Sequence, residues 1–332
     1  MAQKYHVAGL GNAIVDIFAQ VDDAFLLQHK IAKGAMTLID EFRAFELNKA
    51  LASAGKNPEV AGGSVANTMA GLASLGGKGA FFGKVKNDQL GQVFAHDIRA
   101  IGVSFESKAA TSGPATARCL IFVTPDAQRT MNTYLGACVN LGPEDVDEAV
   151  VKSARVTYLE GYLWDPPRAK EAFVKAAKVA HAAGRKVSLS LSDAFCVDRH
   201  RAEFRDLVAN HVDILFANES EIKSLYEVES FDAALQAVRG SCEIACLTRS
   251  EKGSVIVAGE EVHVIDAERV GALTDTTGAG DLYASGFLFG WSHGYGLARA
   301  GRIASLAAAE AISHVGARPH TSLKALVQQK LG

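Results

Sequence analysis

The chain lacks any paired C-x-x-C, and its cysteines are an odd five: Cys119, Cys138, Cys196, Cys242 and Cys246. That count and spacing argue against a disulfide framework and against a zinc site, and leave buried free thiols as the expectation. Nowhere does an apolar run approach the roughly 18 to 20 residues that a membrane-spanning helix needs. The first residues, Met1-Ala2-Gln3-Lys4-Tyr5-His6, lead into a short apolar segment rather than a signal-type core. Cytoplasmic residence without a membrane partner is expected. Net charge is small too, at a formal −3. Such a balance exerts no general pull on nucleic acid, so any recognition of phosphate must be local.

Several nucleotide and catalytic motifs are also missing. Gly9-Leu10-Gly11 has Ile14 where a dinucleotide fingerprint needs its third glycine, and Gly77-Lys78-Gly79 lacks the upstream glycine and following Ser or Thr of a P-loop. There is no G-x-S-x-G elbow and no H-E-x-x-H, and the ten histidines are scattered. Repeats and low-complexity tracts are absent.

What remains is a chain of 332 residues, 48% hydrophobic and 21% charged, able to bury a large core. Short apolar runs at 7–11, 80–85, 156–160, 187–191, 214–217 and 244–248 read as strands, and 242–248 would place Cys242 and Cys246 on one strand face. Alanine-rich helical stretches such as 167–183 and 231–239 lie between several of them. This alternation predicts an α/β fold whose mostly parallel sheet carries helices on both faces. Two segments break the rhythm. Residues 17–39 alternate with few helix signals, and 116–124 with 130–134 read as a hairpin turning at Pro125-Asp126-Ala127-Gln128. Both would project from the sheet.

The most informative stretch is Asp275-Thr276-Thr277-Gly278-Ala279-Gly280-Asp281, which runs into the apolar segment 282–291. Its small residues allow backbone N–H groups to converge on an oxyanion at the positive end of a helix. Carboxylates are ordinarily kept from phosphates, so Asp281 in such a turn points to general-base work on a hydroxyl during phosphoryl transfer. Upstream, Gly62-Gly63-Ser64-Val65-Ala66-Asn67 precedes a small-residue helix, its paired glycines allowing close approach to a ligand with Asn67 facing inward. Asn12-Ala13-Ile14-Val15-Asp16, after the first strand, places a carboxylate able to take two vicinal hydroxyls.

In this order the three elements resemble the ribokinase, or phosphofructokinase-B-type (PfkB), family of small-molecule kinases, and the resemblance spans essentially the whole chain. It implies a ribokinase-like fold with a small β-lid at 17–39 and 116–135 over a large domain formed by 1–16, 40–115 and 136–332. It implies ATP as donor, with Gly278, Ala279 and Gly280 as the anion hole and Asp281 as base. Asn218 and Glu221 match the family's Asn-x-x-Glu motif for magnesium and phosphates, Glu221 acting through water. They also read as a helix cap followed by Glu. Arg129 resembles the arginine a lid brings to the phosphates. Thr248 and Gly253 resemble the segment lining the nucleotide site. Asp275 and Thr277, with carbonyls from 313–317, resemble a monovalent-cation site, so potassium is admitted but not required.

The acceptor is narrowed rather than fixed. Asp16, Gly63 and Asn67 would read the ribose-like diol of a nucleoside or of a sugar, with Gly62 and Ser64 beside them in the acceptor site. The separation of Asn12 from Asp16 resembles adenosine kinases more than ribokinases. Phe122, Tyr134, Tyr162 and Trp164 are the candidates for stacking on a base. Adenosine is the expected acceptor. A ribokinase, fructokinase or 2-keto-3-deoxygluconate kinase type remains the alternative, and a catalytically silent ligand-binding regulator the reading from another class. A monomer or a homodimer paired through lid edges is expected.

Overall fold

Near-continuous apolar runs are what strands covered on both faces require, and those runs form the larger of two sheets. Its strands are β1 (Tyr5–Leu10), β5 (Gly79–Phe82), β8 (Ala154–Glu160), β9 (Lys186–Ser190), β10 (Ile214–Asn218), β11 (Ile244–Thr248), β12 (Ser254–Ala258) and β13 (Glu261–Ile265). The second sheet holds β2 (Ile14–Gln20), β3 (Met36–Leu38), β4 (Glu59–Gly62), β6 (Ala117–Val123) and β7 (Arg129–Tyr134). This computed structural model describes residues 3–52, 59–126, 128–271 and 273–332. Ala127 of the predicted turn lies outside them.

The larger sheet runs β13-β12-β11-β10-β9-β8-β1-β5. From β5 to β11 every neighbouring pair is parallel, and β12 and β13 close one edge antiparallel. Leu10, Leu159 and Leu215 face one buried layer, and Val7, Tyr158 and Phe216 face the other. The alanines of the helix Pro167–Ala182 let it lie close on the first side. On the second side the helix Ala279–Ser292 packs against Leu297–Ala311. A Cβ at Gly286 or Gly290 would meet Ala304 or Ala300 backbone atoms at 2.6 and 2.8 Å, so the contact is nearly backbone to backbone.

The smaller sheet is ordered β3-β7-β6-β2-β4, with β2 and β6 parallel and β6 and β7 a hairpin. The helix Glu41–Ala52 packs on β6 and β7. Two expectations need correction. Segment 17–39 is not extended throughout, because Asp22 accepts from the Phe25 N–H at 2.8 Å and starts the helix Asp23–Gln28. Residues 242–248 are not one strand either: β11 begins at Ile244, so Cys242 lies before it while Cys246 is buried inside it.

Candidate active site

In an open parallel sheet, ligands gather at the carboxyl ends of the strands. Here those ends carry Asn12 just past β1, Glu160 closing β8, Asp193 past β9, Asn218 closing β10 and Thr248 closing β11. The helix Ala279–Ser292 begins at the same level. Gly278 caps it at φ +79°, and a Cβ there would sit 2.7 Å from Ala317, so both conformation and space demand glycine.

Asp281 lies in that helix's first turn, half-buried. Ser64 Oγ donates to its Oδ1 at 2.6 Å and Asn67 Nδ2 to its Oδ2 at 3.1 Å. Ser64 and Asn67 therefore hold the carboxylate, and Asn67 is itself buried. Burial pushes Asp281 up to about 6, against the pull of these two donors. The anion turn differs in one particular from expectation. Ala279 N–H is already donated to Thr276 O at 3.2 Å, whereas no partner is present among the described residues for the N–H groups of Gly278, Gly280 and Asp281. Nothing stands within 4 Å of a Cβ placed at Gly280, and the residue is exposed.

At the acceptor end, Asp16 on β2 lies against Gly62, where a Cβ would come within 2.2 Å of a carboxylate oxygen. Gly63 caps the helix Ser64–Ser74. Asp16 accepts no hydrogen bond among the described residues. Burial raises it to about 7 although the Arg318 and Arg129 charges oppose the shift. Asn12 is buried, and its Nδ2 donates to Glu160 Oε1 at 2.7 Å, while Val65 N–H donates to Glu160 Oε2 at 3.1 Å. Glu160 thus joins the β1 end to the Gly-Gly helix. Its own carboxyl is raised by burial to about 7.

At the other end, Asn218 and Glu221 cap the helix Glu219–Tyr226 reciprocally. Asn218 N–H donates to Glu221 Oε2 at 2.9 Å, Asn218 Nδ2 to Oε1 at 2.5 Å, and Glu221 N–H to Asn218 Oδ1 at 2.9 Å. Burial, then the Asp193 charge, raises Glu221 to about 7 against the Asn218 donors, and Asp281 adds to the rise. Thr248 pairs with Asn218 across the strands, and Gly253, at φ +78°, turns the chain into β12. From β7, Arg129 reaches the DTTGAGD turn: its Nη1 lies 2.8 Å from Asp275 Oδ2 and donates to Thr277 Oγ1 at 3.1 Å. Its Nη2 is buried without a partner among the described residues. Asp275 is otherwise filled by Thr277 N–H and Oγ1 on Oδ1 and by Gly316 N–H on Oδ2.

The aromatic candidates divide. Tyr162 lies beside Asp193 and near Glu221 and Asp281, its hydroxyl held far above the ordinary value by burial first and by these charges. Trp164 is turned away: it packs on Phe173 and Phe204 and donates Nε1 to Glu203 at 2.6 Å. Phe122 and Tyr134 are also misplaced as stacking residues. Residues opposite one another across a sheet share a face, and successive residues alternate. Asp16 is opposite Cys119, Cys119 opposite Thr133, and Thr133 opposite Leu38. Two residues along, Phe18, Ile121, Met131 and Met36 form the next row on that face. Phe122 and Tyr134 are on the reverse face, under the helix Glu41–Ala52, where Phe122 is fully buried and packs on Phe25. The row beside Asp16 on its sheet face is therefore aliphatic and methionine-containing, with Phe18 as its ring. Phe122→Ala should lower folding stability by about 3–5 kcal/mol in urea melts and leave acceptor KM within about twofold. Met131→Asp should do the reverse.

Glu160, Asp193 and Arg318 were not among the sequence candidates. The two acids carried a signal, as Glu160 closes one apolar strand at its carboxyl end and Asp193 lies just past another. Arg318 carried none.

The sequence model of the family described as pfkB family carbohydrate kinase matches residues 35–324. Among solved structures, the adenosine kinase from Sinorhizobium meliloti is 53% identical with a TM-score of 0.90, the match covering 98% of this chain and 99% of that one. A probable sugar kinase from Rhizobium etli is 52% identical with a TM-score of 0.90, covering 99% of each. An ATP-dependent ribose-1-phosphate kinase from Halopiger xanaduensis is 29% identical over 77% of this chain and 82% of its own length.

Proposed function

The chain belongs to the pfkB family of carbohydrate kinases, and we propose that it transfers the terminal phosphoryl group of ATP to the 5′-hydroxyl of adenosine, giving AMP and ADP. The observation that carries the phosphotransfer is Asp281, oriented by Ser64 and Asn67 beside an amide edge that has no partner among the described residues. At neutral pH this carboxylate is ionised, yet more basic than a free Asp near 4. It takes the acceptor proton late, once bonding to phosphorus has acidified the hydroxyl. Gly278, Gly280 and Asp281 N–H groups face the transferring PO₃ unit, the electrostatic contribution that dominates such reactions.

Adenosine is supported by the apolar row Phe18, Ile121, Met131 and Met36 beside Asp16, which suits a base attached to a diol, and by the resemblance to an adenosine kinase over nearly the whole chain. We take the five-stranded sheet as the lid, with 17–39 and 116–135 as its main segments. Magnesium fits the donor set in hydrated form. Both Glu221 oxygens already accept from Asn218, and no cluster of three metal-ligating side chains is present among the described residues, so waters would link the ion to Glu221 and Asp193. Bound there, it supplies positive charge against the phosphates. Potassium fits less well, since Arg129 already neutralises Asp275. The edge strand β3 is where a second copy would pair if the protein dimerises. No described helix is long and apolar enough to cross a membrane, and all five cysteines are free, which agrees with a cytoplasmic setting.

ADP release from ATP and magnesium with adenosine, inosine, guanosine, ribose, fructose and 2-keto-3-deoxygluconate tests this reading. Adenosine should give the highest kcat/KM. Turnover of a sugar alone would move the protein to the carbohydrate kinases, and silence throughout would make it a regulator. Asp16→Ala should raise acceptor KM by roughly 10- to 100-fold with ATP KM unchanged, as expected when hydrogen bonds to a charged group are lost.

A further inference from the structure

Near Asp16, on a loop that touches the anion turn, stands a guanidinium with two N–H groups that find no partner among the described residues. Arg318 belongs to a loop tied at both ends. Gly316 N–H donates to Asp275 Oδ2 at 2.8 Å and Ala317 touches Gly278, while beyond it His320 and Thr321 N–H groups both donate to Glu310 Oε1 at 2.9 Å. The side chain has little freedom to leave. Its Nε and Nη2 are sealed from water without a partner, and no carboxylate lies within ion-pair distance of it among the described residues. The acidic charges it feels are those of Asp16 and Asp97, and Asp97 is partly used in accepting Ala61 N–H.

Burying a cation with unpaired N–H groups is costly, and a carboxylate that accepts nothing is costly in the same way. Here the two are neighbours that do not touch. A group that accepts a hydrogen bond on one side and donates on the other would satisfy both, and a hydroxyl does this with a single oxygen. We propose that Arg318 is a further acceptor-binding residue, sharing one hydroxyl of the acceptor diol with Asp16: the hydroxyl donates to the carboxylate and accepts from the guanidinium. The inference rests on the kinase reading of this site but not on adenosine as the acceptor. It also gives the loop after Leu297–Ala311 a part in acceptor specificity, in addition to its contact with the anion turn.

The test is Arg318→Gln in the full chain, with Arg318→Met as a second variant that fills the same space without a buried charge. With ATP saturating, both should raise KM for adenosine roughly 10- to 100-fold, with kcat and ATP KM within about twofold. With 2′-deoxyadenosine and 3′-deoxyadenosine, the one lacking the shared hydroxyl should be poor for the parent enzyme and should lose less than about threefold further in either variant. Equal losses on all three nucleosides, an unchanged acceptor KM in Arg318→Met, or a loss confined to kcat or ATP KM would overturn the proposal, the last placing Arg318 on the phosphates. Melting curves identify a variant that fails to fold, and the Met variant then decides. If the parent enzyme ignores adenosine and turns over a sugar, the nucleoside reading fails while the same comparison, made with that sugar and its deoxy forms, still decides the role of Arg318.

Discussion

Asp281→Asn should lower kcat about 100- to 10,000-fold while acceptor and ATP KM change by less than about threefold, and its melting temperature at pH 8 should equal or exceed that of the parent protein. Removal of a general base predicts the first effect; the burial of that base predicts the second. Asp281 is raised from 3.8 to about 6 in the folded chain. Between those values the native state holds more protons than the unfolded one, so stability falls as pH rises from about 4 to about 6 and the cost of the buried charge is complete above that. Asn carries no such cost, so its advantage should open across the same window. Activity runs the other way. The parent kcat should rise with pH through about 6, and the residual rate of the Asn variant should lose that limb. Asp16, raised to about 7, should add a separate limb in kcat/KM, with acceptor use improving as it ionises. An Asn variant with near-normal kcat would remove Asp281 from the chemistry.

These effects rest on residues of unequal legibility. The strands of the large sheet could be read because a parallel strand buried on both faces is a bare apolar run, and the DTTGAGD turn because few other contexts put an acid among glycines at a helix start. The helix Asp23–Gln28 was hidden: six residues are too few to show a 3.6-residue period, and only the Asp22 cap announces it. The apolar face beside Asp16 was hidden for a different reason. Phe122 and Tyr134 are prominent in the sequence, but which side of the hairpin meets the site depends on β6 pairing with β2 about a hundred residues earlier, and a shift of one position exchanges the faces. The closure of Ala279 N–H onto Thr276 O depends likewise on backbone geometry that no residue type dictates. Glu160 and Asp193 were the readable omissions. Each is an acid at the carboxyl end of a buried parallel strand, where ligands collect in this class of sheet.

Arg129→Ala should reduce kcat by roughly a thousandfold, the low end of what a phosphate-facing arginine contributes, with a smaller fall in melting temperature. The side chain crosses from the β6–β7 hairpin to the turn that precedes Asp281, so one residue joins the smaller sheet to the phosphoryl site. Its Nη1 is committed to Asp275 and Thr277, and its unpartnered Nη2 is the donor available to a transferring phosphoryl group. Alanine leaves Asp275 with Thr277 and Gly316 as donors but without a counter-charge, which accounts for the loss of stability. The parent enzyme should therefore respond little to potassium, whereas the Ala variant should gain rate from added guanidinium ion, a free copy of the missing group. Arg129→Lys should fall between the two, keeping charge but losing the fork that spans Asp275 and the site. If Arg129→Ala instead raised both KM values uniformly and kept kcat, Arg129 would serve only to hold the hairpin down, and the PO₃ unit would depend on the three open amides of the Gly278 turn alone.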